Sequence, residues 1–168
     1  MSIAAQGEAA RPVSFERERG VYNVLVTRDV AHAVVKVGAE ADRSDRIQRV
    51  LSLLAAESIP IFLIKLHRTA VTFAVDGALT PRVESCLNNH GIQIRTRRDL
   101  ALLTIVASSM RDLTGVMVMI ADALHEAGAR LYGTGDSHNS VQCLIEDGRV
   151  EAARRQLSAT FGLNGVHE

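Results

Sequence analysis

The chain has 168 residues, 47% of them hydrophobic, which allows one domain or two small ones with ample material for a core. Nineteen basic and nineteen acidic residues cancel, so no global field draws nucleic acid or an anionic membrane surface, and neither is expected as a partner. No apolar run approaches the roughly 18 residues of a membrane helix. The N-terminus also lacks a basic start followed by an apolar stretch, so a cytoplasmic location is expected.

Residues 1–19 mix Ala, Gly, Gln, Pro12 and the charged block Glu16-Arg17-Glu18-Arg19 without periodicity, and a mobile arm is expected there. Residues 21–27 are strand-like, Arg28-Asp29 reads as a tight connection, and 31–37 as the next strand, together a hairpin. A loop over 38–43 leads into a helix that Ser44 caps and that runs to about Glu57, with Pro60 barring its continuation. Residues 59–66 and 70–75 are strands around the turn His67-Arg68-Thr69, with Val71, Phe73 and Val75 alternating with Thr72 and Ala74. Thr80 caps the next helix, Pro81 suits its first position, Val83, Cys86 and Leu87 form its stripe, and Gly91 ends it.

After the alternating segment 92–98 the order repeats. Residues 100–106 form a strand, and a small polar loop follows. The helix 113–127 then carries Val116, Met119, Ile120, Ala123, Leu124 and Ala127 on one stripe, with Gly128 as its left-handed cap. Strands at 129–134 and 140–145 and a helix over 147–161, stopped by Gly162, complete the copy. A shift of 70 residues lays one copy on the other without a gap: Arg28-Asp29-Val30-Ala31 falls on Arg98-Asp99-Leu100-Ala101. Each copy reads βαββα and needs a fourth strand. Segment 92–98 is the candidate for the first, and 21–27, its 70-residue equivalent, for the second. The expected fold is therefore α+β, two ferredoxin-like βαββαβ modules with antiparallel sheets, helices on one face, and strands exchanged between modules. The first module spans 20–98, the second 99–163, and 164–168 is a tail; strand 20–27 can complete either sheet.

The paired modules, the turn Arg98-Asp99, the loop 106–116 (VASSMRDLTGV) and the segment 133–145 (GTGDSHNSVQCLI) resemble the tandem ACT regulatory region of aspartokinases. Asp136-Ser137-His138 and the late Phe161 are most similar to the diaminopimelate-sensitive class. The KFGGTS-type nucleotide-binding segment of the kinase domain is absent from the sequence. The resemblance thus implies a free-standing regulatory chain that does not phosphorylate aspartate by itself. It further implies a small amino-acid effector (lysine, diaminopimelate or threonine), a homodimer, and an aspartokinase or other protein as the regulated partner. The alternative is a dimerisation module whose effector sites have decayed.

On that resemblance the effector site falls at the loop entering the second module's first helix. A helix N-terminus offers unpaired N–H groups and the positive end of the dipole to a carboxylate. Gly115 would let a ligand approach, Ser108, Ser109 and Thr114 could donate hydrogen bonds, Asp112 could pair with an ammonium, and Met110 and Val116 flank the loop. Gly135, Asp136, Ser137, His138 and Asn139 crowd a second loop at a strand end. In the first module Asp45 stands where Gly115 does, a carboxylate that would repel the ligand's own.

Other constellations are set aside. Asp136, Ser137 and His138 are too close in sequence for a hydrolytic triad, since neighbours in an extended chain point to opposite faces. His67 and His138 lack carboxylate or Cys partners at metal-ligand spacing, and neither a metal nor a cofactor is expected. Cys86 and Cys143 read as small buried hydrophobes. Arg95, Arg97 and Arg98 read as a protected edge strand rather than an RNA surface, because aromatics are only 4% of the chain and form no stacking pattern.

Overall fold

The computed structural model describes residues 20–39, 41–110 and 112–163; the arm expected over 1–19 and the tail 164–168 lie outside them. In chain order the elements are β1 (Val21–Lys36), α1 (Arg43–Ala56), β2 (Phe62–Leu66), β3 (Ala70–Asp76), α2 (Thr80–Asn88), β4 (Ile94–Ala107), α3 (Val116–Glu126), β5 (Gly133–Asp136), β6 (Ser140–Glu146) and α4 (Val150–Thr160). The 70-residue offset holds in space: β3 begins at Ala70 and β6 at Ser140, and each is followed by a 3-10 turn, Gly77–Leu79 and Asp147–Arg149. All six strands form one antiparallel sheet in the order β2-β3-β1-β4-β6-β5.

The hairpin expected at Arg28-Asp29 does not form. The chain runs straight through as the single strand β1, and β4 does the same through Arg98-Asp99. Asp29 and Asp99 take φ of 55° and 58°, and the β1–β4 register shifts between Thr27 and Val30. Each Asp thus sits in a β-bulge, which inserts one residue and reverses the side-chain parity. The packing records that reversal. Before the bulge Val24 and Val26 join the core under α3 and α4; after it Ala31, Ala33 and Val35 join the core under α1 and α2. In β4, Ile94 packs on the α1–α2 core and Ala101, Leu103 and Ile105 on the α3–α4 core. Each long strand therefore serves both halves. Gly77 is glycine for the same reason, because a Cβ there would lie 2.0 Å from the Asp29 carboxylate and 3.0 Å from its carbonyl oxygen.

Opposite the helices the sheet faces itself. Val30, Ala74, Leu100, Leu102 and Leu144 form a third core, with Phe62, Leu63 and Tyr132 packed on it. The edge strands β2 and β5 meet across it, Leu63 Cδ2 lying 2.5 Å from where a Gly135 Cβ would stand. A Cβ at Gly135 would have to displace the end of the Leu63 side chain.

Helix ends follow the sequence in part. Gly91, Gly128 and Gly162 adopt φ of 72°, 65° and 66° after α2, α3 and α4. The starts differ: α1 is preceded by Asp42 rather than Ser44, and Thr80 lies inside the first turn of α2, its hydroxyl donating to the Gly77 carbonyl at 2.8 Å. Asp76 serves the preceding 3-10 turn by accepting from Ala78 N–H at 2.9 Å. Both cysteines are buried and free, and burial pushes the Cys143 thiol up to about 12, as an inert hydrophobe requires.

At Ile94–Arg97, β4 pairs with β1, whereas its pairing with β6 begins only at Leu100, so this end is a sheet edge among the described residues. Arg97 and the following Arg98 are occupied. Arg97 lies over the Tyr132 ring at 4.7 Å from the centroid and donates to its hydroxyl at 3.0 Å; Arg98 reaches Glu84 at 3.7 Å. Burial raises the Glu146 pKa, but hydrogen bonds from its own and the Arg130 backbone and from the Tyr132 hydroxyl, with the Arg130 charge, outweigh it and hold the carboxyl below the usual range.

His32, half-buried on β1, has its pKa lowered from 6.5 first by burial and then by the charge of His67. The unfolded chain therefore takes up this proton more readily, and the stability from a neutral His32 is present above about pH 6.5 and lost as pH falls towards the folded value. Urea titrations at pH 7.5 and 5.5 should show a lower midpoint at 5.5, with a smaller drop in His32→Gln.

Candidate functional site

The second half builds one cleft from two loops. Leaving β4, the chain is stitched to the β5–β6 turn: Ala107 N–H donates to the Asn139 carbonyl and Met110 N–H to the His138 carbonyl, each at 2.9 Å. The turn is itself rigid, since Ser137 N–H donates to the Ser140 carbonyl at 2.8 Å and the Ser137 hydroxyl accepts from Ser140 N–H at 3.1 Å. The other loop then enters α3 through Gly115, a left-handed N-cap (φ 78°) with no side chain capping the helix. The first N–H groups of a helix have no intrahelical acceptor, so this end is positive and open.

Between them lies a cleft of about 550 Å³. Its apolar part is Met110, Val116, Met117 and Val141, and its polar rim runs from Thr134 through Gly135, Asp136 and Ser137 to His138. The arrangement suits a small zwitterion: α3's N-terminus for a carboxylate, Asp136 for an ammonium, and a flexible methionine wall for an aliphatic side chain.

Of the residues singled out from the sequence, Met110, Val116, Gly135, Asp136, Ser137 and His138 line this cleft. Ser108, Ser109, Asp112, Thr114, Gly115 and Asn139 do not line it; Gly115 adjoins it through Val116, and Asn139 is spent on the turn, its side-chain oxygen 3.1 Å from the Ser137 hydroxyl. Among the described residues the Ser137 hydroxyl pairs with Asn139 and Ser140, not His138, which excludes the triad. Met117, Thr134 and Val141 were not singled out. In α3 Met117 and Val118 fall outside the expected stripe and are 47% and 64% exposed, and Met119, expected on it, is 40% exposed as well.

The first half is different at the equivalent place. Arg43, which stands where Leu113 does, donates from Nε to the Arg68 carbonyl at 3.0 Å and from Nη2 to the His67 carbonyl at 2.5 Å. Arg46, in place of Val116, pairs with Asp42 at 2.8 Å. A guanidinium thus adds a side-chain bridge to the β2–β3 turn at the position where the second half has Leu113.

No family model matches the sequence, and no curated protein matches it significantly. Solved structures do match. The ligand-free regulatory subunit of aspartate kinase from Thermus thermophilus superposes with a TM-score of 0.75 at 20% identity, covering 85% of this chain and 99% of that one. Aspartokinase alpha and beta subunits give 0.78 at 21% identity over 85% and 99%. Escherichia coli aspartokinase III in complex with lysine and aspartate gives 0.67 at 15% identity over 87% of this chain and 34% of that enzyme. The chain therefore has the fold of aspartate kinase regulatory subunits, as the resemblance of its loops to the tandem ACT region implied.

Proposed function

We propose that this protein is a non-catalytic, amino-acid-sensing regulator of the aspartokinase type, built of two ACT modules over 20–98 and 99–163. The observation that carries the reading is the cleft between Met110–Val116 and Thr134–His138, whose uncapped helix end and single carboxylate complement an α-amino acid. Lysine, diaminopimelate and threonine are the effectors that the resemblance to aspartokinase regulatory regions implies. The first module has no such role, because Arg43 and Asp45 occupy its loop. The protein works as a homodimer, its exposed α3 methionines near the effector cleft, and passes the signal to an aspartokinase catalytic chain in the cytoplasm. The signal is allosteric insofar as effector binding favours one state of that assembly over another.

A thermal-shift screen against lysine, diaminopimelate, threonine, methionine and the other amino acids tests this. A ligand bound only by the native state stabilises it by about 2.7 kcal/mol at a hundredfold excess over its Kd. One amino acid, or two close analogues, should raise Tm selectively. No shift with any at millimolar concentration rejects the sensor and leaves a dimerisation module.

A further inference from the structure

The first half carries a second, chemically opposite cleft, away from the effector loops. It has a volume of about 320 Å³ and is lined by the end of β1, one face of α1 and the α2–β4 loop. Those three elements bring Lys36, Arg46, Arg49 and His90 together over an apolar wall of Val50 and Ile92; Arg46 is already paired with Asp42 at 2.8 Å, which leaves Lys36 and Arg49 to supply the cleft's charge. Past Lys36 and Gln93 it continues into a cavity of about 260 Å³, where Arg95 adds another cation. Among the described residues no carboxylate lines either cavity. In a chain of zero net charge this is a local concentration, not a reflection of a basic protein.

The fold does not require these cations. Seventy residues on, Lys36, Arg46, Arg49 and His90 are replaced by Val106, Val116, Met119 and Thr160, so the second half forms the same elements with uncharged side chains at these positions. Helix capping explains part of the cluster. His90 Nδ1 donates to the Cys86 carbonyl at 2.7 Å and Arg49 to the His90 carbonyl at 3.3 Å, as basic groups do at a helix C-terminus. It does not explain Lys36 or Arg95, which lie on β1 and β4.

We propose that this cleft binds a small phosphate-bearing anion, inorganic phosphate or a phosphate ester. Converging guanidinium and ammonium donors match a dianion with several acceptor oxygens. An amino acid fits poorly, because none of the described lining residues carries a carboxylate for its ammonium. Single-stranded nucleic acid fits poorly too, since among the described residues no Phe, Tyr or Trp lines the cleft to stack a base.

Calorimetric titration of the intact protein at constant ionic strength with inorganic phosphate, pyrophosphate and AMP tests the assignment. Saturable binding of at least one probe is expected, weakened on the order of tenfold in Lys36→Gln and in Arg49→Gln. AMP binding tighter than phosphate supports an ester whose organic part rests on Val50 and Ile92; phosphate binding as tightly or more tightly supports the inorganic ion. The proposal is overturned if no probe saturates, or if the doubly substituted protein, with an unchanged circular dichroism spectrum, binds as the wild type does. Because the amino-acid screen reads the other cleft, the two results are independent.

Discussion

Phe73→Ala is expected to destabilise the protein by about 3–5 kcal/mol and Leu103→Ala by about 2–5 kcal/mol, each within a single unfolding transition. Phe73 is fully buried in the core under α1 and α2, and Leu103 fully buried in the core under α3 and α4. In two independent domains, damage to one core would lower one midpoint and leave the other in place. Here β1 contributes Val24 to one core and Val35 to the other, and β4 contributes Ile94 and Leu103 in the reverse sense. Neither helix pair can lose its sheet without pulling apart the strands of the other. The third core, with Val30 and Ala74 against Leu100, Leu102 and Leu144, adds a direct apolar bond between halves. Urea unfolding followed by far-ultraviolet circular dichroism and by calorimetry checks the point. Coincident transitions in wild type and both variants are expected; a second, unshifted transition in either variant would show separable modules.

The repeat and the need for strand exchange were legible because they depend on apolar periodicity, which the 70-residue shift preserves through β3 and β6. The continuity of β1 was not. An Arg-Asp pair between two apolar runs reads equally as a hairpin turn or as a bulge, because Asp tolerates positive φ in both. The distinguishing sign was parity: the buried positions are even at Val24 and odd from Ala31 to Val35, the reversal that one extra residue makes in a continuous strand. In the candidate site the turn residues were visible as a polar cluster, but only Met110 and Val116 of the wall were. Val141 reads as an ordinary strand residue and Thr134 as part of a strand end, and their approach to Met110 depends on two backbone hydrogen bonds between distant loops. The closure of the first cleft was half visible. Asp45 was recognised from the shift, whereas Arg43 acts through backbone carbonyls 24 and 25 residues away that no local pattern marks.

That contrast makes Gly115→Asp the sharpest substitution in the second half, since it installs there what the first half already has at Asp45. Its effect on stability should be small. Gly115 has φ of 78°, and a left-handed L-residue costs about 1–2 kcal/mol, although Asp tolerates that region better than most. A carboxylate at a helix N-terminus returns about 0.3–1 kcal/mol, and a Cβ at Gly115 meets nothing within 4 Å. Binding should suffer far more. The N–H groups offered to the effector's carboxylate would face a second negative charge, and like charges 4 Å apart repel by about 1 kcal/mol in water and about 4 kcal/mol near a protein surface. The amino acid that shifts the wild type should therefore bind about 10- to 100-fold more weakly to Gly115→Asp. Gly115→Ala, which has the same backbone strain without the charge, should bind nearly as the wild type. Titration of the three proteins with the effector decides between charge and strain. Equal affinity in all three would remove the α3 N-terminus from the site, while equal weakening in both variants would assign the effect to the backbone alone.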